Sequence, residues 1–146
     1  RSPLPDRVVP IRDDRTVMIG QATIQVELAT TSQQYQQGLS GRDVLPKDRG
    51  MLFLFPSPGQ YSFWMKDMRF PLDIVWISAS CWVVDVSAEV PHPSPGTADT
   101  ELPFYFPVTP AQYVLEINAG EAQRNGIAAG SGFLLIDGMF SGHPCS

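Results

Sequence analysis

The sequence predicts a mainly β fold: a small barrel or strongly curved, antiparallel-rich sheet of about seven short strands with one or two short helices. Three observations lead there. Short β-branched and aromatic runs recur between clusters of turn-forming residues. Fourteen prolines among 146 residues are about twice the usual share, which excludes long helices. Neither an internal repeat nor a second domain is visible, and a sheet of this size protects its edges best by closing on itself.

Residues 1 to 15 mix prolines with Arg7, Arg12, Asp13, Asp14 and Arg15 and read as an extended lead-in or tether. A single domain is expected over residues 16–140, with a tail over 141–146. From Ala22 to Leu28 the pattern alternates, with Ile24, Val26 and Leu28 on one face, as in a half-buried strand. Thr30, Thr31 and Ser32 then supply N-cap oxygens, and Gly38 can end a helix, so a short helix is expected over Ser32 to Gln37. Met51 to Phe55 is a continuous apolar run; with Tyr61 to Met65 it reads as two strands joined by the turn Pro56-Ser57-Pro58-Gly59.

Leu72 to Ile77 and Cys81 to Val86 form the clearest hairpin, with Leu72, Ile74 and Trp76 on one face and Trp82, Val84 and Val86 together on one face of the partner. The prolines at 91, 93, 95, 103, 107 and 110 make the segment 91–110 a long loop with at most an edge strand. Tyr113 to Ile117 resumes strand character, Gly120 to Asn125 suits a helical turn, and Phe133 to Asp137 is the last strand.

With 43% hydrophobic and 17% charged residues the chain can bury one core. A net charge of −5 without a Lys/Arg run argues against nucleic-acid binding. No charge-free stretch reaches the roughly 18 residues that span a bilayer, so no transmembrane segment is expected. A start at Arg1, followed by Pro3, Pro5 and Pro10, reads as a trimmed, exported chain, periplasmic or secreted. Cys81 and Cys145 can form one disulfide in an oxidising compartment; the alternative is a buried thiol and a free tail.

The string Gly50-Met51-Leu52-Phe53-Leu54-Phe55, followed by Phe63-Trp64-Met65-Lys66-Asp67-Met68 and Pro71-Leu72-Asp73-Ile74, resembles the domain of unknown function 192, also called uncharacterised protein family 0127. Val26-Glu27-Leu28-Ala29, Gly38-Leu39 with Arg42, Tyr113-Val114-Leu115-Glu116, Ala119-Gly120, Gly126-Ile127 and Gly130 stand in that family's order. The resemblance covers about Val17 to Asp137. It implies a compact β-rich domain, frequently preceded by an export signal, and supplies no catalytic assignment. Departures are the Gly38-Leu39-Ser40-Gly41-Arg42 stretch in place of a Gly-Leu-Met start, Asp67 where Asn is usual, and a hairpin turn of Ser78-Ala79-Ser80-Cys81 instead of an Asp/Gly-rich one.

Residues Phe63 to Asp73 concentrate charged and amphipathic groups among apolar ones, and a Trp beside Lys and carboxylates can stack a sugar or other flat ligand. The candidate ligand-binding residues are Arg42, Trp64, Lys66, Asp67, Asp73, Tyr113 and Glu116, around a shallow cleft for a polar small molecule, glycan or peptide. Asp73, Glu27 and Glu116 interrupt apolar strands and must be paired or exposed; Arg42 is expected to pair with Asp73 or Glu116.

An alternative is a hydrolase using Asp73 or Glu116 with Lys66. Another is a domain that docks a protein partner through the 91–110 loop and Phe104, Tyr105 and Phe106. Met51, Met65 and Met68 read as core packing, and His92 and His143 as loop and tail residues, so neither metal nor cofactor is expected.

Overall fold

The computed structural model describes residues 9–136 and Cys145. Residues 1–8 of the expected lead-in lie outside the described residues, as do Asp137 and, apart from Cys145, the expected tail with His143. In chain order the elements are β1 (Arg15–Ile19), β2 (Ala22–Ala29), α1 (Ser32–Gln37), β3 (Arg49–Gly59), β4 (Leu72–Ile77), β5 (Val83–Val90), a 3₁₀ turn (Asp99–Glu101), β6 (Ala111–Asn118), α2 (Glu121–Arg124) and β7 (Phe133–Leu135). The strands form one sheet in the order β5-β4-β6-β3-β2-β1-β7.

Every pairing is antiparallel except β2 with β3, which α1 and the loop after it connect as a crossover. Thr31 starts α1 with a capping box shared with Gln34, and Gly38, at φ +47°, ends it. The sheet curls into a half-barrel whose two edges meet at one end. There Trp82 bridges Gly132, the Val83 N–H donates to the Ser131 carbonyl at 2.9 Å, and the Phe133 N–H donates to Cys81 at 2.9 Å. A Cys81–Cys145 disulfide sits at this seam, beside a hydrogen bond from the Leu135 N–H to the Cys145 carbonyl.

The central strands are buried on both faces, which is why Met51 to Phe55 of β3 reads as a continuous apolar run and β4 is apolar at every position except Asp73. On the first face Leu52, Leu54, Val75, Ile77, Leu115 and Ile117 pack with residues of β1, β2 and β7 and with Ala122 of α2. On the second face Met51, Phe53, Phe55, Ile74, Trp76 and Val114 pack under Leu39, Leu45, Met65 and Met68. Ile11, within the expected lead-in, is buried in that second cluster.

Three expectations are corrected. Tyr61 to Met65 is not a strand but a single bridge, Phe63 to Tyr105. Its aromatics cover the sheet instead of extending it: the Phe63 ring meets Phe53 and Trp76 edge-on, with centroids 4.8 and 5.4 Å away. The seventh strand is instead Arg15–Ile19, which takes its order from pairing with both β2 and β7. Trp82, Val84 and Val86 do not share a face, because the β4–β5 register shifts beside Ile77. Val86 joins the first cluster, Val84 the second, and Trp82 is exposed.

The disulfide joins positions 64 residues apart in sequence. Reduction, or paired Cys81→Ser and Cys145→Ser changes, should lower unfolding stability by about 2–4 kcal/mol, read as a lower urea midpoint. An unchanged midpoint would mean that the strand bridge holds the seam unaided.

Candidate functional site

The second face carries the site. Met65 and Met68 bury their side chains against it and so anchor a tight turn between them. The Met68 N–H donates to the Met65 carbonyl at 3.1 Å, and the Gly41 N–H donates to the Asp67 carbonyl at 2.9 Å. Asp67 adopts φ +60°, a conformation that short polar residues such as Asp and Asn enter more readily than most.

Anchoring at 65 and 68 leaves the intervening polar groups outside. The Trp64 ring lies nearly parallel to Phe104, at 5.3 Å and 7°. Lys66 places its Nζ 5.6 Å from the Trp64 centroid and forms an ion pair with Asp99. Hydrogen bonding to Asp99 raises the Lys66 pKa above its ordinary value. Arg69 pairs with Asp43 at 2.7 Å. Two depressions share Lys66 and Asp67. One, of about 510 Å³, runs to Arg69, His92, Gly96 and Asp99; the other, of about 430 Å³, runs to Trp64, Gln36 and Ser40.

Of the expected site residues, the fold therefore brings Trp64, Lys66 and Asp67 together. Tyr113 and Asp73 belong to the opposite side. Strand alternation puts Tyr113 with Leu115 and Ile117 on the first face, fully buried 5.1 Å from the Phe133 ring. Asp73 is fully buried and accepts from the N–H groups of Glu89, Gly120 and Ala122 at 2.7, 3.0 and 2.9 Å, tying β5 and the start of α2 to β4.

Arg42 pairs with neither Asp73 nor Glu116. It grips Glu27 with two hydrogen bonds of 2.7 and 2.9 Å and donates a third, of 3.0 Å, to the Val9 carbonyl. The register explains this choice. Glu27, Met51, Glu116 and Ile74 form one row across the sheet, so Met51 stands between the two glutamates. Glu116 is buried with no hydrogen bond or ion pair to a described residue, and its Oε1 is 3.9 Å from where a Cβ on Gly38 would stand. Burial pushes its carboxyl up to about 8.

Arg69 belongs to the charged segment Phe63 to Asp73 that the sequence singles out, though not to the expected ligand residues, whereas sequence reading missed Asp99, Asp43 and His92 as parts of the site. Local spacing holds no signal for them: the Lys66–Asp99 and Arg69–Asp43 contacts span 33 and 26 residues. Among the described residues no cluster of three or more His, Cys, Asp or Glu side chains is placed to hold a metal ion, and no helix is long and apolar enough to cross a membrane.

Fold and site together define a small curled-sheet domain with a polar, aromatic-edged turn on one face. The chain belongs to the DUF192 family, described as uncharacterized ACR, whose model matches residues 15–133. No curated protein matches it. Among solved structures, it is similar to a candidate transcription regulator from Sinorhizobium meliloti 1021, with a TM-score of 0.75, 28% identity, and coverage of 85% of this chain and 95% of that one. It is also similar to a protein of unknown function from Novosphingobium aromaticivorans DSM 12444, with a TM-score of 0.74, 26% identity, and coverage of 91% and 98%.

Two predictions follow from the buried carboxyls. A Glu116 whose folded pKa is about 8 keeps its proton in the folded state after the unfolded chain has lost it, so its contribution to stability is complete below about pH 4.5 and is lost as pH rises through 8. Burial also raises Glu121, which acts in the same direction. Glu116→Gln should therefore flatten, without abolishing, the fall in melting temperature between pH 5 and pH 8; a wild-type slope in the variant would refute the assignment. Asp73→Ala orphans three N–H groups and should cost at least ~3 kcal/mol in denaturant unfolding. A loss below 1 kcal/mol would show those groups are satisfied otherwise.

Proposed function

We propose that this is a binding domain for a polar ligand, best matched by a glycan, acting in an oxidising compartment outside the cytoplasm. The observation that carries the reading is the Trp64–Phe104 stack beside Lys66 and Asp67, where Trp64 lines the depression of about 430 Å³ that shares those two residues with the larger cleft. A sugar ring has an apolar C–H face that packs on aromatic rings, and hydroxyls that need fixed donors and acceptors. Phe104 is 54% exposed and can offer its ring, Lys66 can donate, and Asp67 can accept. Support for the compartment comes from the Cys81–Cys145 disulfide, since such bonds persist where thiols are not kept reduced.

A hydrolase using Asp73 or Glu116 with Lys66 gains no support, because both carboxyls are buried, on opposite faces of the sheet, and neither lines the depressions that hold Lys66. DNA binding, which the regulator description of one structural neighbour would suggest, gains no support from a net charge of −5.

Chemical-shift perturbation with a panel of oligosaccharides and short peptides tests the proposal. Saccharides should move the resonances of Trp64, Lys66 and Phe104, and Phe104→Ala should weaken that binding by about two- to tenfold. Shifts from peptides alone, or none near the turn, would sink the glycan reading.

A further inference from the structure

The cleft beside Lys66 has a charge arrangement that a neutral ligand leaves unused. Both cations lining it, Lys66 and Arg69, are held by carboxylates from distant segments, Asp99 and Asp43. These pairs are open to water: the side chains of Lys66 and Asp99 are 40% and 53% exposed, and those of Arg69 and Asp43 are 54% and 82% exposed. Exposed pairs of this kind are weak, so an incoming anion can exchange for either carboxylate at little cost. Arg42 differs in kind, since its carboxylate partner Glu27 is buried and doubly hydrogen-bonded and is not open to exchange.

Around the exposed cations the wall of this cleft of about 510 Å³ mixes small residues, Gly41, Gly96 and Thr97, with apolar Pro93 and Leu102 and includes a second carboxylate, Asp67. Asp99 itself sits on a single 3₁₀ turn in the Pro-rich loop, and Phe104 of the same loop carries the aromatic surface. One loop thus supplies both the ring face and the carboxylate that occupies Lys66.

We infer that the ligand is an acidic sugar, whose anionic oxygen group, carboxylate or phosphate, takes the place of Asp99 on Lys66 and reaches Arg69 in the same cleft. This rests on the binding reading above and names the class of ligand within it. In the exchange the sugar's anion takes the place of the Asp99 carboxylate on Lys66, and Asp99 turns to solvent. Arg69 then offers a planar fork that can hold two oxygens of the same group. The neighbouring rings stay free to receive the sugar face.

Calorimetric titration of the full chain at low and high salt tests this with four probes. Trigalacturonate and its fully methyl-esterified form differ only in the carboxylates, and glucose 6-phosphate and glucose differ only in the phosphate. At least one acid probe should bind about tenfold or more tighter than its neutral counterpart, with the advantage shrinking in salt, and the probe that does so identifies the anion.

Lys66→Met should abolish that advantage. Asp99→Asn, at an exposed position, should strengthen acid binding by about two- to fivefold. Equal binding of each acid and its neutral partner overturns the inference and leaves the glycan reading standing. Absence of binding by all four probes, alongside shifts from peptides only, removes both. A weakening of acid binding in Asp99→Asn also overturns the exchange.

Discussion

Burial of the central strands on both faces is the constraint on which the rest of the molecule depends. In β3, β4 and β6 successive side chains alternate between two packed layers, so a polar group there cannot reach water by turning outward. The buried carboxyls of the sheet, on β4, β2 and β6, meet this condition in different ways. Asp73 collects three backbone N–H groups, Glu27 is gripped by a guanidinium, and Glu116 stands at a place where burial favours its neutral form. The first two hold loops and helix starts to the sheet.

The candidate site is an outgrowth of the same constraint. A second apolar face in the middle of the sheet needs a cover, and the segment from Phe63 to Met68 supplies it with Phe63, Met65 and Met68. Residues between those anchors are left on the outside, which gathers an indole, an ammonium and a carboxylate into one turn without a dedicated scaffold. The 91–110 loop then closes against that turn through the Phe63–Tyr105 bridge, and with it come Phe104 and Asp99. Packing thus puts an exposed aromatic stack and weakly held charges on a firmly anchored support, as binding surfaces require.

Much of the fold was legible in the residues. Helix α1 has the expected bounds because its cap and its terminating glycine are local signals, and β2, β4 and β6 follow from alternation or continuous β-branched runs. The errors have one origin. Tyr61 to Met65 carries a strand-like composition but is used as a lid, whereas Arg15 to Ile19, a short β-branched run directly after the charged lead-in, is paired on both sides. Part of the site was legible too, since Trp64, Lys66 and Asp67 are neighbours in sequence. Tyr113 could have been set apart from them by its parity with Leu115 and Ile117 on a strand buried on both faces.

By itself the sequence determined the class of fold, the short elements with strong local caps or periodicity, and the turn that gathers three of the site's residues. All of these rest on interactions within a few positions along the chain. Only the tertiary structure decided that Arg42 holds Glu27, that Asp99 and Asp43 occupy the cleft's cations, that Phe104 meets Trp64, and that the disulfide closes the seam. Those partners lie between 15 and 64 residues apart, and their meeting depends on strand register and curl, which no local pattern encodes.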